Sequence, residues 1–451
     1  MRSKAGPGHP GRLFHVRVSR GRDSHVVCDM PTPAPANRHL PSAWFAERMA
    51  LYFGALFLIY GVHVTYFPVW LAWRGLRPEE IGLITALPIF MRTVLTPAIA
   101  AHADAQGNHR QVIIALSFAS AVLALVISQC RTFWQILVAA VPFAIAIASI
   151  MPLTETLAVA GVRGAGHDYG RMRMWGSLTF LVATVAAGLL YDAYGGGAGI
   201  WGVCTAAMAT AGAALLLPRP VAAAPRAGEV GGATEAGLLT ALLGTPVFVV
   251  FLLAVGAVMG SHAAFYTFGA LHLKGQGISG TAFGALWGIS IFAEIAVLAW
   301  SAPLIARLGP VRLLMAACVA GIVRWGAMSL DPPLVVLVAL QLLHAFTYGA
   351  AHLGAIHFIA CAVPGRGAGS AQALYSAIGT GLIAGTATIA AGYLYPHLAG
   401  QTFLVMAAVS GAGLAAAIWV HKTWAGGPLL EEPAAVSPTT PAAVVRSLRW
   451  R

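Results

Sequence analysis

Residues 47–71 read ERMALYFGALFLIYGVHVTYFPVWL, and the only Asp, Glu, Lys or Arg of the stretch, Glu47 and Arg48, stand together at its start. A hydrocarbon layer ~30 Å thick is crossed by ~20 mostly apolar residues in a helix, so this segment reads as a membrane span. Eleven more segments of the same kind follow. With the first they give twelve predicted spanning helices, α1 to α12 in chain order: roughly 47–71, 80–101, 111–129, 133–161, 172–191, 198–217, 245–272, 280–305, 311–330, 334–362, 369–395 and 401–421. The expected fold is an all-α polytopic membrane protein. Composition agrees, because 58% of the 451 residues are hydrophobic and only 9% are charged. Soluble domains carry ~25% charge, and a soluble chain of this length would lack polar surface to cover so much apolar area. The lipid bilayer is therefore the first partner.

The net charge of +12 does not point to nucleic acid, since the basic residues sit in short segments between apolar runs rather than in a stripe. Five cysteines (Cys28, Cys130, Cys204, Cys318, Cys361) lie far apart, with no paired spacing for zinc or a disulfide framework. No metal or cofactor is expected. Residues 1–46, rich in Arg, Pro and Gly, read as a disordered N-terminal tail without the apolar core of a signal peptide. Met30 opens a more usual start, so residues 1–29 are expected to be missing from the mature protein; a peptide from 12–20 would refute that. Residues 218–244 form a Pro/Ala/Gly-rich central loop, and residues 425–451 a second disordered tail. This loop divides the chain into two six-helix bundles, 47–217 and 245–424.

The two bundles repeat one another. Ala-Ala-Gly-Leu-Leu-Tyr at 186–191 recurs as Ala-Ala-Gly-Tyr-Leu-Tyr at 390–395. Gly61 and His63, followed by Arg74-Gly75 and Ile81-Gly82, recur as Gly260 and His262, Lys274-Gly275 and Phe283-Gly284. Three pairs in register argue for a parallel six-plus-six pseudo-repeat, which places a substrate site at the interface of the halves near the bilayer midplane. Lys and Arg in the loops set the orientation. The loops on the side of the termini carry nine (Arg110, Arg163, Arg171, Arg173, Arg219, Arg226, Arg307, Arg312, Arg366), against four opposite (Arg74, Arg77, Arg131, Lys274). Both termini are expected to be cytoplasmic.

Several motifs carry a family resemblance. Residues 100–110, Ala-Ala-His-Ala-Asp-Ala-Gln-Gly-Asn-His-Arg, resemble the G-x-x-x-D-R-x-G-R-R-R signature loop of the major facilitator superfamily. Asp104, Gly107 and Arg110 match it; Ala100, Ala105, Asn108 and His109 depart from it. Tyr-Gly-Arg-Met-Arg-Met-Trp-Gly-Ser-Leu (169–178), Phe-Ala-Glu-Ile (292–295), Leu-Leu-His-Ala-Phe-Thr-Tyr-Gly-Ala-Ala-His (342–352) and Ala-Leu-Tyr-Ser-Ala-Ile-Gly (373–379) are similar to its phenylpropionate-permease-like group, related to nucleoside and oligosaccharide proton symporters. The resemblance spans about 45–420. It implies the major facilitator fold, a bacterial inner membrane, a monomer, proton-coupled uptake of a small organic solute such as an aromatic carboxylate, and a gating role for Asp104, Gly107 and Arg110.

The residues argue the site independently. Arg92, Glu155, Glu294 and Arg324 fall inside predicted spans, where each charge costs roughly 2.5–3.5 kcal/mol on insertion scales. Unpaired, the four would cost on the order of 10 kcal/mol, so they must pair, face a wet cavity or be neutral for part of a cycle. Glu294, flanked by Ile291, Phe292, Ile295 and Val297, can take a proton from one side and release it to the other, and an ion pair with Arg324 of α9 is expected. Protonation would free Arg324 to hold an anionic solute. On α10, Gln341, His344, Tyr348 and His352 fall within roughly an 80° arc at about 100° per residue, one inward face. His344 is a candidate for proton coupling and Gln341, Tyr348 and His352 for substrate binding, with packing hydrogen bonds among them as the alternative. Glu155 is matched with Arg171 or Arg173, and Trp175 one turn beyond Arg171 suits a ring; anchoring at the membrane surface explains the arginines equally well. His63 and His262, with Tyr60, Tyr66, Phe265 and Tyr266 nearby, are candidate aromatic walls. Arg92 has no sequence-local partner and lines the cavity or braces α2. Export by the same fold is the nearest alternative, and it would favour a wide cavity with few fixed charges. A membrane-embedded enzyme would need a nucleophile or metal set, and no H-E-x-x-H, G-x-S-x-G or Cys–His cluster is present.

Overall fold

The computed structural model describes residues 44–165, 168–218, 232–363 and 365–430. Among these, every regular element is helical. The first half comprises α1 Phe45–Trp73, α2 Pro78–Gln106, α3 His109–Gln129, α4 Phe133–Ala165, α5 Tyr169–Tyr194 and α6 Ala198–Leu215. The second comprises α7 Pro246–Gly275, α8 Gly280–Ala299, α9 Ser301–Met328, α10 Leu334–Ala362, α11 at 368–398 and α12 Thr402–Thr423. The run Ala368–Thr423 is 56 residues of near-continuous apolar helix. That is ~84 Å at 1.5 Å per residue, nearly three times the hydrocarbon thickness, so it must double back. It does so at Ala399, whose φ of 46° breaks the helix.

Local chemistry fixes the helix ends. α2 opens with Pro78 at its first position and with the Arg77 N–H donating to Glu80 Oε2 at 2.8 Å, and it ends on Gly107 in the left-handed conformation (φ 62°). Asp168 caps α5 by accepting the Gly170 N–H at 2.8 Å. The turns after α1 and α7 need positive φ at Gly75 and Gly277 (both 83°). The repeat register there is therefore Gly75 with Gly277, two positions beyond the Gly75–Gly275 match read from sequence.

Three boundaries differ from the sequence reading. α8 stops at Trp300 rather than 305, and α9 starts at Ser301 with a non-helical break at Gly309 (φ 71°, ψ 169°) before Pro310. Pro310 cannot continue an unbroken helix, so 301–308 form a lead-in. Part of the expected central loop is a helix, Gly232–Leu243, because Leu242 is fully buried against the second half. Residues 425–430 of the expected tail fold back: the Leu429 N–H donates to Ala362 O at 2.7 Å, and Leu429 and Leu430 pack on the same core. The rest of both expected disordered tails, 1–43 and 431–451, lies outside the described residues.

Within the first half α1 packs on α5 and α6, α3 on α4 and α6, and α2 on α4; in the second, α9 packs on α10 and α12, α7 on α11 and α12, and α8 on α10. The halves meet through α5 with α8, α2 with α11, and α1 with α7. The first two contacts are the same pair under the repeat. Glycine makes them close. A Cβ on Gly392 would stand 3.0 Å from Pro78 O and 3.1 Å from Gly82 Cα, and one on Gly284 would run into the Thr184 carbonyl. All these positions lie toward the end that carries the loops after α1, α5, α7 and α11. At that end one apolar core spans both halves, joining Tyr66 and Trp70 with Phe265, Phe283, Trp287 and Trp325. Toward the end of the termini the core is split, with Phe45, Met49 and Ile150 in one cluster and Phe248, Phe251 and Phe358 in another. The halves are thus sealed together at the first end and packed separately at the second.

Candidate functional site

A cavity of about 410 Å³ lies where the seam ends. α1, α2 and α4 of the first half line it, together with α7, α10 and α11 of the second. Its walls are aromatic: Tyr60, His63 and Phe67 from α1, Tyr266 from α7 and Tyr348 from α10. His63 stacks on Phe67 (centroids 4.7 Å, 26°) and makes no hydrogen bond to the described residues, so both ring nitrogens are open to a solute. Arg92 of α2 is the one cationic side chain in this lining. Its Nη2 reaches toward the Thr380 carbonyl of α11 at 3.5 Å, and it forms no ion pair with a described carboxylate. Such a guanidinium can meet a carboxylate with two parallel hydrogen bonds.

Behind the α7 and α10 wall lies a buried polar network. Arg324, fully buried, donates from Nη1 to His344 Nδ1 (3.0 Å) and Thr347 Oγ1 (3.0 Å), and from Nη2 to Gln341 Oε1 (2.7 Å). Ser290 of α8 donates to the same Gln341 oxygen at 2.8 Å. The Arg324 guanidinium also lies 4.4 Å from the Trp325 ring centre and 5.4 Å from that of Phe265. Donor bookkeeping then fixes both histidines. Arginine cannot accept, so His344 Nδ1 must be bare and Nε2 must carry the proton, facing Glu294 Oε2 at 3.6 Å. His262 donates from Nδ1 to the Val258 and Met259 carbonyls at 3.0 and 3.2 Å, which leaves Nε2 to accept from the Thr347 hydroxyl at 3.0 Å. One directed chain therefore runs from Arg324 through Thr347 to the cavity-lining His262. A second joins Arg324 to Glu294 through His344.

The sequence reading placed Glu294 against Arg324 directly. His344 stands between them instead, because the α10 turn that carries it packs against both α8 and α9. On the α10 face, Gln341, His344 and Tyr348 converge, with Tyr348 stacked on His344 (5.4 Å, 19°) and exposed to the cavity. His352, one turn further on, bonds through Nδ1 to the Tyr375 hydroxyl of α11 at 3.0 Å and interacts electrostatically with Glu294. Ala345–Ala350 is a π-helical turn, whose wider winding throws later residues out of α-helical phase.

Glu155 accepts from the Tyr169 hydroxyl at 3.3 Å and has no ion pair within 4.0 Å among the described residues. Arg173 lies over the Phe57 ring, 4.1 Å from its centre, and shares Tyr169 with Glu155, with which it interacts electrostatically; Arg171 is exposed at the start of α5. Trp175 points away from the cavity, into a groove between α1, α5 and α6 beside Glu47 and Leu51. The signature-loop contacts stay within the first half: Asp104 Oδ1 meets His109 Nε2 at 2.7 Å, and Arg110 donates to the Leu217 and Leu215 carbonyls at the end of α6 (2.9 and 3.1 Å). Sequence reasoning missed Thr347 and Ser290, two small hydroxyls that nothing distinguishes from helix-packing residues, and left Arg92 undecided.

Similar proteins agree with this geometry. A relative from Escherichia coli (strain K12), described as a probable 3-phenylpropionic acid transporter, is 30% identical over 366 residues, covering 80% of this chain and 94% of its own. A maltose permease of Geobacillus stearothermophilus is 28% identical over 342 residues, 76% of this chain and 84% of its own. Among solved structures, the nucleoside transporter NupG superposes with a TM-score of 0.72 at 18% identity, covering 84% of this chain and 99% of that one. A bacterial homologue of the human lysosomal transporter Spinster, solved inward-facing and occupied, gives 0.63 at 15% identity, over 86% of this chain and 98% of that one. The MFS_1 like family model matches residues 48–405, and with a helical bundle of two halves around a central cavity, this chain belongs to that family of multi-pass secondary transporters of small solutes.

Proposed function

We propose that the protein takes up a small aromatic carboxylate together with protons, by alternating access, in the bacterial inner membrane with both termini cytoplasmic and as a monomer. The observation that carries the solute class is Arg92: a guanidinium with no acidic partner among the described residues, in a cavity otherwise walled by His63, Phe67, Tyr266 and Tyr348. Arg92 is open to the cavity, and an anionic solute would give its charge the counter-ion that a neutral sugar cannot. The coupling group is Glu294 with His344 and Arg324. A proton on His344 Nδ1 breaks the present arrangement, since a protonated Nδ1 can no longer accept from Arg324, while a proton on Glu294 removes the negative charge that faces the His344 Nε2–H. Arg324 then needs a new acceptor, and an anion in the cavity supplies negative charge on the far side of the His262 and Thr347 link.

The purified protein in liposomes tests this directly. Lowering the external pH should drive accumulation of phenylpropionate-like acids over nucleosides and sugars, and adding the acid should alkalinise the medium. Accumulation without proton movement would reject the symport reading, and preference for a neutral solute would reject the carboxylate.

A further inference from the structure

Asp192 lies in the last turn of α5, and its carboxylate crosses to the first turn of α8 in the other half. Oδ1 accepts the Gly280 N–H at 2.7 Å; Oδ2 accepts the Thr281 N–H at 2.8 Å and the Thr281 hydroxyl at 2.7 Å. First-turn N–H groups have no partner within their own helix and carry the positive end of its dipole, so a carboxylate here is held by charge and by hydrogen bonds together. Ser279 caps α8 from within but takes only the Ala282 N–H (3.1 Å), leaving Gly280 and Thr281 to the opposite half. The same seam carries the Tyr66 hydroxyl donating to Gly280 O at 2.7 Å, and the Lys274 ammonium 4.0 Å from the Tyr191 ring centre.

The repeat-related seam is built differently. The register that pairs Gly188 with Gly392 and Tyr191 with Tyr395 puts Pro396 opposite Asp192. Proline offers no side-chain acceptor. The first turn of α2 is closed from within its own half, by Glu80 accepting the Arg77 N–H. What joins α2 to α11 at this end is close backbone packing, Gly392 against Pro78 and Gly82.

We infer that Asp192 is a positioning residue for transport, an inter-half latch that holds the α5/α8 seam shut, whereas at this end the α2/α11 seam is closed by backbone packing, with no side-chain hydrogen bond across it among the described residues. Opening at this end therefore starts between α2 and α11, and the α5/α8 seam parts only when Asp192 releases α8. This inference rests on neither the solute class nor proton coupling.

Spin labels on the full-length protein in liposomes can read both seams, with pairs at 190/285 across α5/α8 and 77/393 across α2/α11, and distances measured by double electron–electron resonance. In the otherwise native protein the α2/α11 pair should show the larger long-distance population, by about threefold or more. Asp192→Ala should raise the α5/α8 long-distance population about fivefold, whereas Glu80→Ala, which removes the corresponding cap inside one half, should not move it. Unchanged α5/α8 distances in Asp192→Ala, or an equal response to Glu80→Ala, would overturn the latch. Should Asp192→Ala fail to reach the membrane, Thr281→Val, lacking one of the three bonds, decides: about a twofold rise supports the latch and no rise overturns it.

Discussion

Arg92 and Arg324 both sit mid-membrane, and what surrounds them separates their tasks. Arg324 is fully buried, bonded to His344, Thr347 and Gln341, and forms no part of the cavity lining, so a solute in the cavity does not touch it. Arg92 opens on the cavity and has none of these partners. Replacing Arg92 with Gln should therefore weaken binding of a carboxylate solute by roughly 10- to 100-fold, the worth of a charge-assisted hydrogen bond of about 1.5–3 kcal/mol. Competition binding of acid and amide analogues checks it: the amide should lose far less affinity, and equal losses would move the anion site elsewhere. Glu294→Gln keeps an oxygen for the His344 N–H but cannot cycle a proton. Proton-driven accumulation should fall to the level of passive equilibration, while solute exchange at equal pH on both sides continues. Driven accumulation at the unsubstituted level would remove Glu294 from the coupling route. Glu294, His344 and Arg324 were legible as charges and a polar face in apolar helices. Thr347 was not, since one hydroxyl in an apolar helix looks the same whether it links two residues or satisfies its own backbone.

At the scale of the helix, sequence periodicity reads correctly for as long as the helix stays α. The 100° rule brings Gln341, His344 and Tyr348 to one face, and beyond the π turn of 345–350 His352 turns to the Tyr375 hydroxyl of α11 while keeping an electrostatic interaction with Glu294. A second π segment, Tyr375–Ile383, passes Arg92 and Thr93 on α2, and a Cβ on Gly381 would stand 2.6 Å from Thr93 Oγ1. Neither π segment has a sequence signature, because the extra residue per turn is imposed by packing rather than by propensity. The seam glycines were legible as small residues, and their partners were not. Gly284→Val places a side chain where the Thr184 carbonyl stands, so α5 and α8 must move apart. Each half keeps its own internal packing, so this variant should still insert and fold but be unable to seal at this end. Transport should drop at least tenfold, with normal yield and melting behaviour of the detergent-solubilised protein. A Gly284→Val protein that transports normally would show that the seam tolerates a gap of that size.

For the whole molecule, the repeat was visible in six residues, 186–191 against 390–395, whereas the state of the molecule was not. Which end is sealed depends on contacts between residues far apart in the chain, such as Tyr66 with Gly280 or Gly82 with Gly392, and no local pattern encodes them. The two halves also divide the work. The first presents Arg92 to the cavity, while the second buries the Glu294–His344–Arg324 network, so under the proposed function solute and proton would be read from opposite sides of one interface. Coupling then requires the halves to move as bodies, and motion requires both seams to part. A tether across the seam that has no carboxylate latch tests that requirement. An added Cβ at Gly392 would lie 3.4 Å from Glu79 Cα and 3.0 Å from Pro78 O, so once the Pro78 turn gives by a few tenths of an ångström Glu79→Cys and Gly392→Cys are near enough to be tested as a disulfide pair. Oxidised, this double variant should lose more than nine-tenths of its transport, reductant should restore it, and neither single variant should respond to oxidant. The cavity should remain reachable from the end of the termini, so a fluorescent acid should still bind the locked protein from that side. Undiminished transport in the oxidised protein would mean that the α2/α11 seam stays closed through the cycle, and that the halves rock about it rather than parting along it.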